Sequence, residues 1–160
     1  MLNFFKKKRT EKIIAPMTGE IVPIENVPDK VFSEKMLGDG VAIDPDEGVV
    51  VSPVDGEIVS IFPTNHAVGL KTKDGLEILI HIGLDTVELK GKGFKGYVEQ
   101  NDKIKKGDLL VEFDIDYVKG EGKSPITPVV ITNGDELKDI IKNSGKVEKG
   151  EDEIISLIYE

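Results

Sequence analysis

Apolar and polar positions alternate in short runs along most of this chain. "GEIVPI" (residues 19–24), "GVAID" (40–44), "GVVVSPV" (48–54), "GEIVSIF" (56–62), "LEILIHI" (76–82), "DLLVEFD" (108–114) and "TPVVIT" (127–132) are rich in Val and Ile and are separated by Gly, Pro and Asp. Short β-branched runs bounded by turn formers predict strands rather than helices. Many such runs at close spacing predict an all-β chain, an antiparallel β-sandwich or barrel with one or two short helices. One stretch breaks the pattern. "GDELKDIIKNSG" (residues 134–145) puts Leu137, Ile140 and Ile141 at helical spacing. Asn133 or Asp135 is positioned to cap it and Gly145 to end it, so a helix is predicted there.

The pattern also repeats. "APMTGEIVPI" (Ala15–Ile24) and "SPVDGEIVSI" (Ser52–Ile61) share a Pro, the Gly-Glu-Ile-Val core and a final Ile. A fainter echo links "GYVEQNDKIKKGDLLVEF" with "GKVEKGEDEIISLIY". Echoes this short do not make a solenoid. They predict one β-module used twice and packed face to face within one domain.

The chain has two histidines, His66 and His81, and they bracket the stretch "HAVGLKTKDGLEILIH". Asp74-Gly75 between alternating apolar residues is a hairpin signal. A two-residue turn at Asp74-Gly75 sets His81 opposite Val68. His66 is then a diagonal neighbour on the same face, within reach of aromatic side chains. A two-residue turn at Lys73-Asp74 would set the histidines directly opposite, and a three-residue turn would place them on opposite faces. Thr64 lies two residues before His66, where its hydroxyl can accept from one ring nitrogen and fix the tautomer of the other.

Composition narrows the chemistry. There is no cysteine, which removes disulfides, thiolate zinc sites and a cysteine nucleophile. The formal charge of −9 argues against a nucleic-acid partner. No apolar run is long enough to span a bilayer, and the first residues do not form a secretory signal, which fits a cytoplasmic location. The expected organisation is a flexible basic segment, residues 1–11, followed by a single domain, residues 12–160. In that segment Leu2, Phe4 and Phe5 precede Lys6-Lys7-Lys8-Arg9. It reads as a frayed terminus, with weak contact to an anionic membrane surface as the alternative. Two imidazoles are an incomplete zinc set. They suffice for covalent chemistry, in which one neutral imidazole captures a phosphoryl group and the other stabilises its charge.

"TNHA" (Thr64–Ala67), "HIGLDTVELKGKGF" (His81–Phe94), "GDGVAIDP" (Gly38–Pro45), "IIAPMTGEIVPIENVPDKVFSEKMLGDG", "SPVDG" and "ITPVVIT" resemble the glucose-class enzyme IIA component of the bacterial phosphoenolpyruvate-dependent sugar phosphotransferase system. The resemblance runs from about Lys12 to Ile158. It implies a duplicated hybrid-motif β-sandwich. It implies that His81 accepts a phosphoryl group from phosphohistidine on the carrier HPr and passes it to a cysteine of a permease IIB domain. His66 would hydrogen-bond the phosphoryl oxygens, Thr64 would orient His66, and a backbone carbonyl near Gly83 would hold the other nitrogen of His81. The family's docking face is apolar with a few acids. Asp29 and Asp85 match the acids, and Val31, Met36, Leu37, Phe62 and Leu79 match the apolar surface. Two residues depart from the family pattern: Leu79 stands where Phe is frequent, and Lys30 where a small apolar residue is expected. Family members also regulate transporters and kinases when unphosphorylated, and a zinc ion held by His66 and His81 with a partner's carboxylate is a further expectation.

Three rival readings compete with this one. A biotinyl or lipoyl carrier needs a lysine at a hairpin tip, and "DIDYVKG" follows "LLVEF" instead. A zinc peptidase of related fold lacks a third ligand. A purely regulatory binding module is compatible with the carrier reading.

Overall fold

The computed structural model describes residues 10–159. Fourteen strands and two short helices make up these residues. β1 (Thr10–Ile14) pairs with β14 (Glu153–Tyr159), which also pairs with β12 (Leu137–Lys142). β10 (Leu109–Phe113) lies between β4 (Val49–Val51) and β8 (Phe94–Gly96). The large sheet has eight strands. Its first half runs β13 (Gly145–Val147), β2 (Gly19–Pro23), β3 (Asp39–Pro45) and β11 (Thr127–Ile131). Its second half continues through β7 (Glu77–His81), β6 (Ala67–Lys71), β5 (Gly56–Ile61) and β9 (Lys103–Ile104). Every pairing among the strands is antiparallel. β1 opens at Thr10, so the tail end of the segment expected to be flexible is already strand, and its basic cluster lies outside the described residues.

The predicted duplication is built into the backbone. The Ile14 N–H donates to the Pro53 carbonyl (3.1 Å), and the Val51 N–H donates to Pro16 (2.8 Å). Ala15 donates to Asp152 and accepts from Gly150. Ser52, its counterpart in the second echo, donates to Asp108 and accepts from Gly107. Each echo begins its strand at a glycine for the same reason. A Cβ on Gly19 would run into the carbonyl of Asp44 on β3, and one on Gly56 into that of Lys71 on β6. The close approach of neighbouring strands therefore requires the shared glycine.

Two apolar clusters form the interior. The larger fills the sandwich and includes Ile43, Ile58, Leu70, Ile78, Ile80 and Leu110. The smaller lies beneath α1 (Lys30–Ser33) and joins Ile24, Val27, Phe32, Ala42, Leu84 and Val130, with Leu79 packed against it. β7 divides its side chains between the two sides by simple alternation. Ile78 and Ile80 point into the large core, while Leu79 and His81 are half-buried on the other face.

The helix predicted over residues 134–145 is a strand. Only residues 134–136 make a 3₁₀ turn, and β12 pairs with β14 from Leu137↔Tyr159 to Lys142↔Ile155. The reason is a β-bulge between Leu137 and Asp139. The extra residue lets positions three apart share a face, so Leu137 and Ile140 both pack on the core while Ile141 is exposed. The bulge reproduces a helical spacing inside a sheet. The two helices lie elsewhere, each started by an aspartate. Asp29 accepts from the Val31 N–H (2.9 Å) at α1. Asp114 accepts from the Tyr117 N–H (3.0 Å) at α2 (Ile115–Gly120). These caps satisfy donors that the first helical turn leaves open.

Candidate functional site: a histidine pair on an apolar face

Of the three turns the sequence allows, the hairpin that carries the histidines takes the three-residue one rather than the Asp74-Gly75 turn. β6 pairs with β7 in the register Lys71↔Glu77 and Ala67↔His81, which leaves the three-residue loop Lys73–Gly75. Gly75 takes φ +92°, as a three-residue hairpin loop asks of its last position. The Leu76 N–H bonds the Thr72 hydroxyl (3.1 Å). Asn133, beyond the end of β11, accepts from the Glu77 N–H (2.7 Å) and donates to the Gly75 carbonyl (2.8 Å). A residue distant in sequence thus fixes the turn.

On a regular ladder this register would send the rings to opposite faces. They meet because both lie where the ladder ends. His81 closes β7, and His66 stands just before β6. The Ile82 N–H donates to the His66 carbonyl (2.6 Å), and the chain before His66 turns sharply through Asn65, at φ +58°. The ring centroids lie 5.2 Å apart with planes at 79°. Thr64 is therefore in a turn rather than on a strand, and its hydroxyl contacts Nδ1 of His66 as expected. Nδ1 of His81 donates to the Gly83 carbonyl (2.7 Å), also as expected. Gly83 takes φ +75°, and a Cβ there would lie 2.6 Å from Thr86 Cγ2 and 2.8 Å from the Ser124 carbonyl. With both Nδ1 atoms engaged, Nε2 is the nitrogen each ring has left for a reaction partner.

Electrostatics keep both rings neutral near pH 7. Burial, then the neighbouring His81, pushes His66 down to about 4. His81 is also lowered by burial, against the opposing pull of the Gly83 carbonyl, Asp29 and Asp85. A neutral imidazole whose Nδ1–H is occupied carries its lone pair on Nε2, the form a nucleophile needs.

The expected docking residues divide by exposure. Val31, Met36, Leu37 and Phe62 are exposed, while Leu79 is half-buried on the small cluster. Phe62 packs edge-on against His66 with centroids 5.1 Å apart. Asp29 and Asp85 act on His81 from two sides, one on the cap of α1 and the other before the 3₁₀ turn Thr86–Leu89. The sequence reading missed two residues. Phe32 is buried, and its ring sits 5.1 Å from that of His81. Val87 is 52% exposed, two residues after Asp85. The signal for Phe32 was present in "PDKVFSEK", where a capping aspartate opens a helical turn. His81, half-buried, lies at this open face, and His66 is buried beside it. The surface depressions around Gly48, Gly93 and Phe113, and around Gly56, Lys71 and Lys103, do not include them. Among the described residues no third His, Cys, Asp or Glu joins the pair as a metal-ligating group.

An antiparallel β-sandwich with one half-buried, oriented imidazole at an apolar face and a second, buried imidazole against it fits a class: a phosphoryl carrier. The family model described as "phosphoenolpyruvate-dependent sugar phosphotransferase system, EIIA 1" matches residues 11–137. The chain belongs to this family and is a phosphoryl carrier of sugar uptake. It is 51% identical over 158 residues to a PTS system glucose-specific EIIA component of Staphylococcus epidermidis, covering 96% of this chain and 95% of the relative. It is 51% identical over 152 residues to the component of that name from Bacillus cereus, covering 94% and 92%. The solved structure of glucose permease IIA from Mycoplasma capricolum superposes with a TM-score of 0.86 at 42% identity, covering 92% of this chain and 96% of that one. The biotinyl or lipoyl carrier alternative is not favoured, and α2 occupies the stretch where such a carrier would present its lysine.

Proposed function

We propose that His81 is the phosphoryl acceptor, that HPr is the donor, and that a cysteine of a glucose-class permease IIB domain is the onward acceptor. The observation that carries the reading is the bond from Nδ1 of His81 to the Gly83 carbonyl, because it fixes the lone pair on Nε2. In the first step the Nε2 lone pair attacks phosphorus in line with the N–P bond of phosphohistidine on HPr. A new N–P bond forms at His81 as the donor's bond breaks, and the electron pair returns to the donor imidazole. The second step reverses these roles toward the cysteine thiolate. Such transfers depend on positioning and on neutralising charge at the phosphoryl oxygens. His66 serves the second need. With the Thr64 hydroxyl donating to its Nδ1, the reverse of the direction expected from the sequence, the neutral ring carries its proton on Nε2 and hydrogen-bonds a phosphoryl oxygen with it.

The exposed Val31, Met36, Leu37, Phe62 and Val87 form the docking face, with Asp29 and Asp85 steering a basic partner. The same face can receive regulated transporters or kinases while the carrier is unphosphorylated, since a dianionic phosphoryl group would repel an apolar partner. We place the reaction in the cytoplasm. Zinc would be held by Nε2 of His81 and, in the tautomer whose Nδ1–H donates to the Thr64 hydroxyl, by Nε2 of His66; these make half of a tetrahedral set, so binding becomes tight when a partner adds a carboxylate.

The test is incubation with phosphoenolpyruvate, enzyme I and HPr, followed by intact mass. One acid-labile phosphate on the wild-type chain and none on His81→Ala is expected. A phosphate retained by His81→Ala would overturn the assignment.

A further inference from the structure

Four charged residues from separate parts of the chain meet beside the docking face. Glu25 lies in a 3₁₀ turn, Lys35 follows α1, Asp39 opens β3 and Lys142 closes β12. Lys142 Nζ is 2.6 Å from Asp39 Oδ1 and 3.8 Å from Glu25 Oε1. Lys35 Nζ reaches the same two atoms, at 3.6 Å from Asp39 and 3.4 Å from Glu25. Each lysine therefore bridges both carboxylates. Lys142 and Asp39 are the more shielded members. Partial burial acts to raise the Asp39 pKa, but the bond and charge of Lys142, the Gly40 N–H and Lys35 hold it below the usual carboxylate range.

The cluster encloses the loop that carries Met36, 69% exposed, and Leu37, 43% exposed. This loop is unusual at both ends, with Lys35 at φ +58° and Gly38 at φ +146°. A left-handed lysine costs free energy and persists when its surroundings hold it there. The Met36 N–H donates to the Val31 carbonyl (3.0 Å), and the two carboxylates hold the Lys35 side chain. An isolated exposed pair contributes little, but a closed network with a shielded member contributes more.

We propose that Glu25, Lys35, Asp39 and Lys142 form a clasp that presents Met36 and Leu37 to docking partners, with Lys142 a positioning residue for the first phosphoryl transfer. The inference rests on the docking role proposed above. Lys142 reaches from the C-terminal β12 to a loop more than a hundred residues earlier. It touches neither histidine, so it acts on the encounter with the donor rather than on the chemistry.

Two measurements on Lys142→Gln and Lys142→Arg test this. The first is amide hydrogen exchange of the unphosphorylated chain without any partner. Lys142→Gln should speed exchange at Met36 about fivefold, the size expected for losing a partly shielded network. Lys142→Arg should match the wild type. The second is the steady-state rate of phosphorylation by phospho-HPr. Lys142→Gln should raise KM about fivefold with kcat unchanged, and about 0.5 M salt should bring the wild type toward the variant. The Nδ1–H resonance of His81 should not move. Unchanged exchange at Met36 would overturn the clasp. Faster exchange without a change in KM, or a fall in kcat alone, would overturn its role in docking. A wild-type chain that accepts nothing from HPr would count against the proposed function, and the exchange comparison would still decide the clasp.

Discussion

The two copies of the β-module share a scaffold and differ in what they hang from it. In the first copy, β2 and β3 are joined by residues 24–38, which hold a 3₁₀ turn, α1 and the exposed Met36 and Leu37. In the second, β5 and β6 are joined by residues 62–66, a short turn that holds Phe62, Thr64 and His66. On the function proposed above, the first would serve docking alone, while the second would serve both docking, through Phe62, and the cargo, through His66. β11 brings them together, since it pairs with β3 on one side and with β7, which ends in His81, on the other. The two frames are equivalent in backbone, and the loops they carry differ in length and content. The contact from the Phe32 ring of the first copy to the His81 ring of the second joins the two.

The comparison breaks most visibly at the histidines. His81→Ala should abolish phosphate incorporation entirely, while His66→Gln should still accept from HPr and fail to pass the group to a sugar in the presence of permease. Mass spectrometry and a coupled sugar-phosphorylation assay separate the two outcomes, and loss of the first step in His66→Gln would mean that His66 is essential to acceptance.

The shared frame predicts a symmetric result. Gly19→Val and Gly56→Val both drive a side chain into a carbonyl of the neighbouring strand, and each should cost about 3 kcal/mol, the upper end for overpacking, in urea unfolding. A large effect at one glycine and none at the other would show that the two frames are not equivalent.

A third prediction concerns acid. His66 is lowered from 6.5 to about 4, so the unfolded chain binds a proton there that the folded chain refuses. Stability from this group is intact above the unfolded value and declines as pH falls through that window. The full shift corresponds to about 3 kcal/mol. His66→Gln should flatten that part of the pH–stability curve relative to the wild type, whereas an identical slope would mean that His66 titrates normally.

The smallest effect is expected at the acids. Asp29→Asn keeps a competent helix cap and removes a charge that raises the pKa of His81. Both it and Asp85→Asn should lower the His81 pKa further, read by NMR titration. Each should also weaken binding of HPr by about 1 kcal/mol or less at moderate salt. Equal effects from Asp29 in the first copy and Asp85 in the second would show that both halves steer the donor.

Much of this was legible along the chain because it depends on local pattern. Alternating Val and Ile in runs such as "LEILIHI" commit those residues to strands wherever they end up. The Gly-Glu-Ile-Val echo exposes the duplication because the same close strand approach demands the same glycine twice. Residues two apart, such as Thr64 with His66 and His81 with Gly83, meet through short stretches of backbone.

What escaped the sequence depends on partners far away in it. Asp74-Gly75 permits several turns, and Asn133 selects the three-residue one. Leu137, Ile140 and Ile141 fit a helix or a bulged strand equally well by spacing, and pairing with β14 decides for the strand. Phe32 and Lys142 are an ordinary apolar and an ordinary basic residue until the fold sets them beside His81 and Asp39. Local pattern determines how each segment buries its own side chains. Only tertiary structure decides which of two locally equal conformations wins, because the deciding hydrogen bonds and charges arrive from segments that no sequence window contains.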